Sequence, residues 1–201
     1  MGAMSSKEST VAKRSLQALG VASAIGAGVL AYSLAEAKSY RLRGVQVPVL
    51  EPGSEPLQVL HLSDLHMTPR QAGKAEWIQH LADLQPDLVV ATGDFMAHPD
   101  AVYPVTAALG PLLDIPGVFV FGSNDYYAPK IGNPFTYLVG PTNYDRGEPD
   151  LPWPELSSAL SSGGWIDLSN RRDHIKVDGR LIDVRGVDDP HIGRDQYEPI
   201  A

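Results

Sequence analysis

Three short apolar runs, separated by segments with helical spacing, constrain the fold of this chain more than any other feature. The runs cover residues 57–62, 87–92 and 118–121, and each is rich in strand-forming side chains. Helical patterns occupy the two intervals, over residues 75–84 and 99–113. Because strands that alternate with helices form parallel sheets with right-handed crossovers, the sequence predicts an α/β fold.

The character of the chain changes after about residue 130. Glycine and proline become frequent as far as Pro154, and a further helix is predicted at residues 154–160. Strand patterns at 174–177 and 181–184 flank Asp178-Gly179, which is a strong hairpin signal.

Residues 16–35 contain no charged side chain, and a helix of about 20 such residues can cross a bilayer. We favour a transmembrane anchor. A cleaved secretory signal remains open, because Ala35-Glu36-Ala37 loosely fits a cleavage site. A buried core helix is disfavoured, because apolar residues lie on all faces instead of in one stripe. Basic residues flank both ends, so the sequence does not fix the orientation.

These patterns predict four segments along the chain. Residues 1–15 form an N-terminal tail and residues 16–37 the anchor or signal segment. Residues 38–56 form a linker rich in proline and glycine, and residues 57–201 form the globular domain.

The overall charge restricts the possible partners. The chain of 201 residues carries a formal net charge of −8, so no nucleic-acid partner is expected. It contains no cysteine, which excludes disulfides and thiolate metal sites. The composition does not determine the oligomeric state.

Polar side chains follow each of the three predicted strands. Asp64 and His66 follow the first strand, Asp94 follows the second and Asn124 follows the third. Each of them alone is more readily explained as a turn residue. Because the carboxyl ends of parallel strands meet at one edge of a sheet, the set is expected to converge there. Such ligands suit Mn, Fe or Zn, and Asp94 on the middle strand is placed to bridge two ions.

Three motifs carry a resemblance to a known family, namely Asp64-Leu65-His66, Gly93-Asp94 and the block from Gly122 to Tyr126. From about residue 57 to residue 189 the chain resembles the calcineurin-like metallophosphoesterases, in particular their bacterial membrane-anchored branch. The resemblance implies a β-sandwich flanked by helices. It also implies hydrolysis of phosphate mono- or diesters by a metal-activated hydroxide at two divalent metal ions.

The resemblance also implies roles for the four side chains. Asp64 and His66 would bind the first metal ion, Asp94 would bridge, and Asn124 would bind the second. The substrate would be a phosphoester, and the anchor suggests a lipid or cell-envelope origin at the cell membrane.

Two departures from the family pattern bear on activity. In the third motif, Ser123 stands where the family has its asparagine ligand if Gly122 and Asp125 fix the register; we keep Asn124, because it alone offers an amide oxygen there. The histidine that usually protonates the leaving group is absent. Asp125 is the candidate acid if its pKa is raised, and otherwise a metal-bound water or a substrate group must act. The further metal-binding histidines expected downstream are not found, so the domain is expected to be incomplete. The alternative is therefore a degenerate, non-catalytic domain tethered to the membrane. A binding module without enzymatic ancestry would fail to bring the clusters together.

Three other predictions concern polar residues near these motifs. His61 is expected to pack in the core, and His191 is expected to lie in an exposed loop. Asp188 and Asp189 are expected to be solvated loop carboxylates, and the alternative is that they line the mouth of the site.

Overall fold

The structure is a computed structural model that describes residues 6–129, 147–198 and 200–201, with side chains described from residue 13 onward. It divides into two compact units, Met1–Val47 and Pro48–Ala201. The boundary between the units falls within the segment predicted to be a linker.

The first unit contains one long helix, α1, which spans Ser6–Glu36. It therefore begins within the predicted N-terminal tail, whose first five residues lie outside the described part of the chain. Its segment Lys13–Glu36 is long and apolar enough to cross a membrane, and none of it is buried within the structure. A signal sequence near an N-terminus has the same length and composition.

The second unit is built on a parallel sheet. Its strands are β1 (Val59–Leu62), β2 (Leu88–Thr92), β3 (Gly117–Val120) and β4 (Ile166–Asp167), and they lie in that order. All neighbouring strands are parallel, which confirms the predicted α/β fold. The two-residue strand β4 was not predicted, because so short a run carries no periodic pattern.

Helices connect these strands. Helix α2 (Ala72–Gln79) continues as a 3-10 turn over His80–Leu84, and a short turn precedes α3 (Val102–Leu113). The one-turn helix α4 (Ser123–Tyr126) follows β3 directly, and α5 (Trp153–Ser162) precedes β4. Helix α4 was not predicted, because its four polar and aromatic residues look like a loop.

The two faces of the sheet pack against different layers. Buried side chains such as Val89, Ala91 and Phe119 pack in the core that contains the helices. Alternate residues such as Leu88 and Val118 pack instead in a second core with the hairpin. This alternation follows from the two-residue period of a strand, and it gives three layers: helices, parallel sheet and hairpin.

The hairpin consists of β5 (Arg171–Val177) and β6 (Arg180–Gly186), paired antiparallel. Asp178 and Gly179 form its turn with φ values of 47° and 76°, as a two-residue turn with left-handed positions requires. The predicted hairpin is confirmed, and both strands are longer than predicted.

Candidate metal centre

The loops that follow β1 and β2 run side by side at the carboxyl edge of the sheet. The N–H of Asp64 donates to the carbonyl of Gly93 (3.1 Å), and the N–H of His66 donates to the carbonyl of Asp94 (2.8 Å). Met67 continues the pairing as an isolated bridge to Met96. These backbone bonds extend the sheet past its last regular residues and hold the first two motifs in register.

Three of the predicted ligand residues have left-handed backbone conformations. The φ values are 56° for Asp64, 40° for His66 and 56° for Asp94. This region is uncommon for residues other than glycine, although Asp and His are enriched there. Such conformations cost free energy and cluster at functional sites. Here they occur in the loops that directly follow β1 and β2.

Two glycines permit the loops to approach each other closely. Gly93 has a φ of 81°, and a Cβ there would collide with the backbone of Phe121 and Gly122. A Cβ on Gly122 would collide with the carboxylate of Asp94. The glycines of the second and third motifs are therefore required by the contact between them.

The four predicted ligand residues lie together. His66 Nε2 is 3.6 Å from Asp94 Oδ2 and 3.9 Å from Asp64 Oδ1. One ligand atom from each of these three side chains lies within 4.8 Å of the others. Asn124 joins them, since its backbone N–H donates to Asp94 Oδ1 (2.9 Å) and its Nδ2 donates to Asp94 Oδ2 (2.7 Å).

The chemistry of this donor set fits a divalent cation. Two carboxylates and an imidazole are hard to borderline ligands. Among the residues that the structure describes, no lysine or arginine forms an ion pair with Asp64 or Asp94. Asn124 already donates through its Nδ2, so its amide oxygen is the atom able to bind an ion.

Sequence comparison agrees with this geometry. The sequence profile of the calcineurin-like phosphoesterases matches residues 57–196. The chain belongs to this family. It is also 26% identical over 143 residues to an uncharacterized metallophosphoesterase of Bacillus subtilis, YkoQ, an alignment that covers 69% of the chain. The chain spans only 45% of the length of that relative.

Asp125 of this calcineurin-like phosphoesterase domain is fully buried and directly follows Asn124. Its Oδ1 accepts the N–H groups of Phe95 (2.7 Å) and Met96 (3.1 Å), and its Oδ2 accepts that of Gly122 (3.0 Å). Burial, together with the nearby charge of Asp94, raises the pKa of Asp125 to about 7, against the opposing effect of the three N–H groups. Its carboxylate thus ties α4 to the loop that follows β2.

Asp188 and Asp189 are not the solvated loop carboxylates that the sequence predicted. Asp188 is buried, and its Oδ2 accepts the hydroxyl of Tyr126 (2.7 Å). Asp189 Oδ2 accepts the backbone N–H of Ser123 (2.6 Å). Both line one depression together with Asp64 and Asp94. Lining the site was the alternative prediction for these residues. The two hydrogen bonds were not predicted, because their partners lie more than 60 residues away in sequence.

The two remaining histidine predictions have opposite outcomes. His61 does not pack in the core: it is exposed, and its Nε2 lies 2.8 Å from Thr92 Oγ1. The core side of β1 is occupied by Leu60 and Leu62, which alternate with His61. His191 is exposed, as predicted.

Proposed function

We propose that this domain hydrolyses phosphate mono- or diesters with two divalent metal ions. One observation carries the proposal: the ligand atoms of Asp64, His66 and Asp94 converge at an edge of the sheet where no lysine or arginine of residues 13–129, 147–198 or 200–201 pairs with the two carboxylates. Membership of the calcineurin-like phosphoesterase family, which is metal-dependent, supports the same chemistry.

Each ligand has a distinct proposed role. Asp64 and His66 hold the first ion, Asp94 is shared between the two ions, and Asn124 holds the second. Asp94 suits the shared position, because its side chain touches both His66 and Asn124. Ions bound there would supply Lewis-acid activation of the phosphoryl group and of water. Mn, Fe or Zn are the proposed metals.

The proposal for Asp125 as the acid depends on its proton reaching the substrate. A pKa near 7 suits proton transfer at neutral pH. Both carboxylate oxygens accept backbone N–H groups, and Asp125 does not line the depression shared by Asp64 and Asp94. Acid catalysis by Asp125 therefore requires its carboxyl to exchange one of these bonds for a bond to the leaving group.

The direct test is hydrolysis of p-nitrophenyl phosphate and bis(p-nitrophenyl) phosphate by the full chain with added Mn(II). We expect turnover that His66→Ala abolishes and that His174→Ala, on an exposed position of β5, leaves intact. Metal binding without turnover would favour the non-catalytic alternative instead. Equal activity of the two variants would contradict the proposed site.

We further propose that α1 anchors the domain to a membrane, that residues 38–56 act as the linker, and that the phosphoester comes from a lipid or the cell envelope. The exposure of apolar side chains all around α1 supports the anchor. Ile25→Arg should weaken membrane association, since a charge at the centre of a span costs about 3 kcal/mol. Val45→Arg, outside the helix, is the control, and equal fractionation of both variants would contradict the anchor.

A further inference from the structure

Helix α4 presents Asn124, yet it is a single turn that cannot be stable by itself. The position of Asn124 therefore depends on what holds the two ends of this turn. The structure assigns the role of holding both ends of α4 to the loop that follows β6. None of the three sequence motifs includes this loop.

Asp189 holds the N-terminal end of α4. Its Oδ2 accepts the N–H of Ser123 at 2.6 Å, and its Oδ1 accepts the N–H of His191 at 2.6 Å. Bonds between a carboxylate and N–H groups at such distances are among the stronger hydrogen bonds in proteins. The same carboxylate thus joins the first residue of α4 to the turn at Pro190–Ile192.

Asp188 holds the C-terminal end. Its Oδ2 accepts the hydroxyl of Tyr126, and Arg194 Nε lies 3.4 Å from the same oxygen. The Arg194 guanidinium also lies 4.0 Å from the centre of the Tyr126 ring, and that ring packs edge-on against Trp153. Tyr126 is therefore fixed on several sides, and α4 cannot shift along its axis without breaking these contacts.

The N–H groups of Ser123 and Asn124 are consecutive along the chain. The first donates to Asp189, and the second donates to Asp94 Oδ1. The backbone before and after Ser123 is therefore held between a proposed ligand and a carboxylate from a distant loop. Rotation of this backbone would carry the Asn124 side chain away from Asp94.

We propose that Asp189 is a positioning residue for the second metal ion, acting through the Ser123 N–H and Asn124. This inference rests on the proposed function, because it takes Asn124 as a ligand. Asp189 contributes no ligand in this account; it fixes the turn that carries one. Outer contacts of this kind typically change metal affinity by about 10–100-fold.

The first experiment is a Mn(II) titration of the full chain in which binding is monitored by electron paramagnetic resonance. Asp189→Ala is expected to weaken the second ion by about 10-fold or more and to leave the first unchanged. Asp87→Ala is the matched control: it also removes a long-range carboxylate bond, to the N–H of Gln58 (2.7 Å), at the opposite edge of the sheet. Equal losses in the two variants would overturn the proposal.

A double-mutant cycle tests whether Asp189 acts through the Ser123 N–H. Ser123→Pro removes that donor, and proline is well tolerated at the first position of a helix. Gly122 is already extended, with φ −115° and ψ 173°, as a residue before proline should be. Once Asp189 is alanine, Ser123→Pro should cause no further loss of affinity. Fully additive losses would mean that Asp189 acts by another route, such as direct ligation, and would overturn the proposal.

Amide hydrogen exchange of the metal-free protein separates this inference from the proposed function. Asp189→Ala should speed exchange at Ser123 and Asn124, whereas Asp189→Asn, which keeps an acceptor oxygen, should restore part of the protection. Exchange that is the same in wild type and Asp189→Ala would overturn the positioning role. If the wild type bound no Mn(II) while this exchange pattern appeared, the proposed function would be contradicted. The conclusion that Asp189 fixes the position of α4 would still hold.

Discussion

The carboxylates of the hairpin and those at the edge of the parallel sheet differ in the partners that surround them. In the hairpin, Asp183 lies between Arg172 (2.7 Å) and Arg185 (3.1 Å), and their hydrogen bonds lower its pKa to about 2. At the edge of the parallel sheet, Asp64 and Asp94 have only His66 as an ion-pair partner within the described part of the chain. The hairpin carboxylate is paired with two arginines, whereas the sheet-edge carboxylates are the ones that we propose to be paired with metal ions.

The backbone differs between the two clusters as well. The hairpin strands are regular, and left-handed residues occur there only in the turn at Asp178 and Gly179. At the sheet edge, three of the four proposed ligands, Asp64, His66 and Asp94, are left-handed, and glycines permit close loop contacts there. Left-handed residues thus occur at the proposed metal site itself, whereas in the hairpin they lie in the turn and not among the paired charges.

The largest effect is expected from adding a methyl group where the sheet-edge loops meet. Gly93→Ala combines a φ of 81° with collisions against the backbone of Gly122, so it should cost about 2–5 kcal/mol of unfolding free energy. Gly179→Ala in the hairpin turn has a similar φ of 76° but nothing within 4 Å, and should cost about 1–2 kcal/mol. Urea denaturation measures both, and equal costs would contradict the close loop contact.

One substitution can give the sheet-edge carboxylates a positively charged neighbour, as Asp183 has in the hairpin. Asp64→Lys, at a side chain that is 67% exposed, would give the sheet edge an internal cation beside Asp94. Mn(II) affinity should fall by about 100-fold or more, because a ligand is lost and a like charge is added. Asp183→Lys in the hairpin should leave Mn(II) affinity unchanged. Calorimetric titration decides, and an undiminished affinity of Asp64→Lys would refute the assignment.

The hydrogen bonds of the buried Asp125 carboxylate can be weakened without changing the size of the side chain. Asp125→Asn keeps one oxygen for the N–H groups of Phe95 and Met96 but sets its NH₂ against the N–H of Gly122. The unsatisfied donors should cost about 1–3 kcal/mol at neutral pH. Asp173→Asn, at an exposed hairpin carboxylate, is the control for urea denaturation. Equal stability of the two variants would show that the buried bonds contribute little.

The smallest effect concerns the hairpin ion pairs. Because the pKa of Asp183 is lower in the folded chain than its ordinary 3.8, its stabilising contribution is complete above about pH 4 and is lost as the pH falls towards 2. The difference in Tm between wild type and Asp183→Asn should be small at pH 7 and should shrink over that range. Added salt should raise the titration midpoint seen by NMR. A midpoint near 4 at low salt would contradict the pairing.

The sequence was most informative where local pattern and strand topology coincide. Asp64, Asp94 and Asn124 follow the carboxyl ends of three neighbouring strands, and parallel pairing requires those ends to share an edge. The Asp178-Gly179 turn was predictable for a similar reason, since its conformation depends on two adjacent residues.

Other features depend on contacts between distant segments and leave no local pattern. Asp188 and Asp189 act on Tyr126 and Ser123, and only the folded chain brings these residues together. The left-handed backbone at His66 was not predicted either, because even the enriched residue types adopt that conformation uncommonly. His61 was misassigned because alternation along β1 gives two faces without saying which one is covered.

The central claim is that the carboxylates of Asp64 and Asp94 at the sheet edge help to bind a pair of cations. Its most direct test is the Mn(II) stoichiometry of the full chain, measured in wild type and in Asp94→Ala. The account predicts two ions per wild-type chain and loss of tight binding in the variant, because Asp94 is proposed to be shared by both ions. Two tightly bound ions in Asp94→Ala, or none in the wild type, would contradict it.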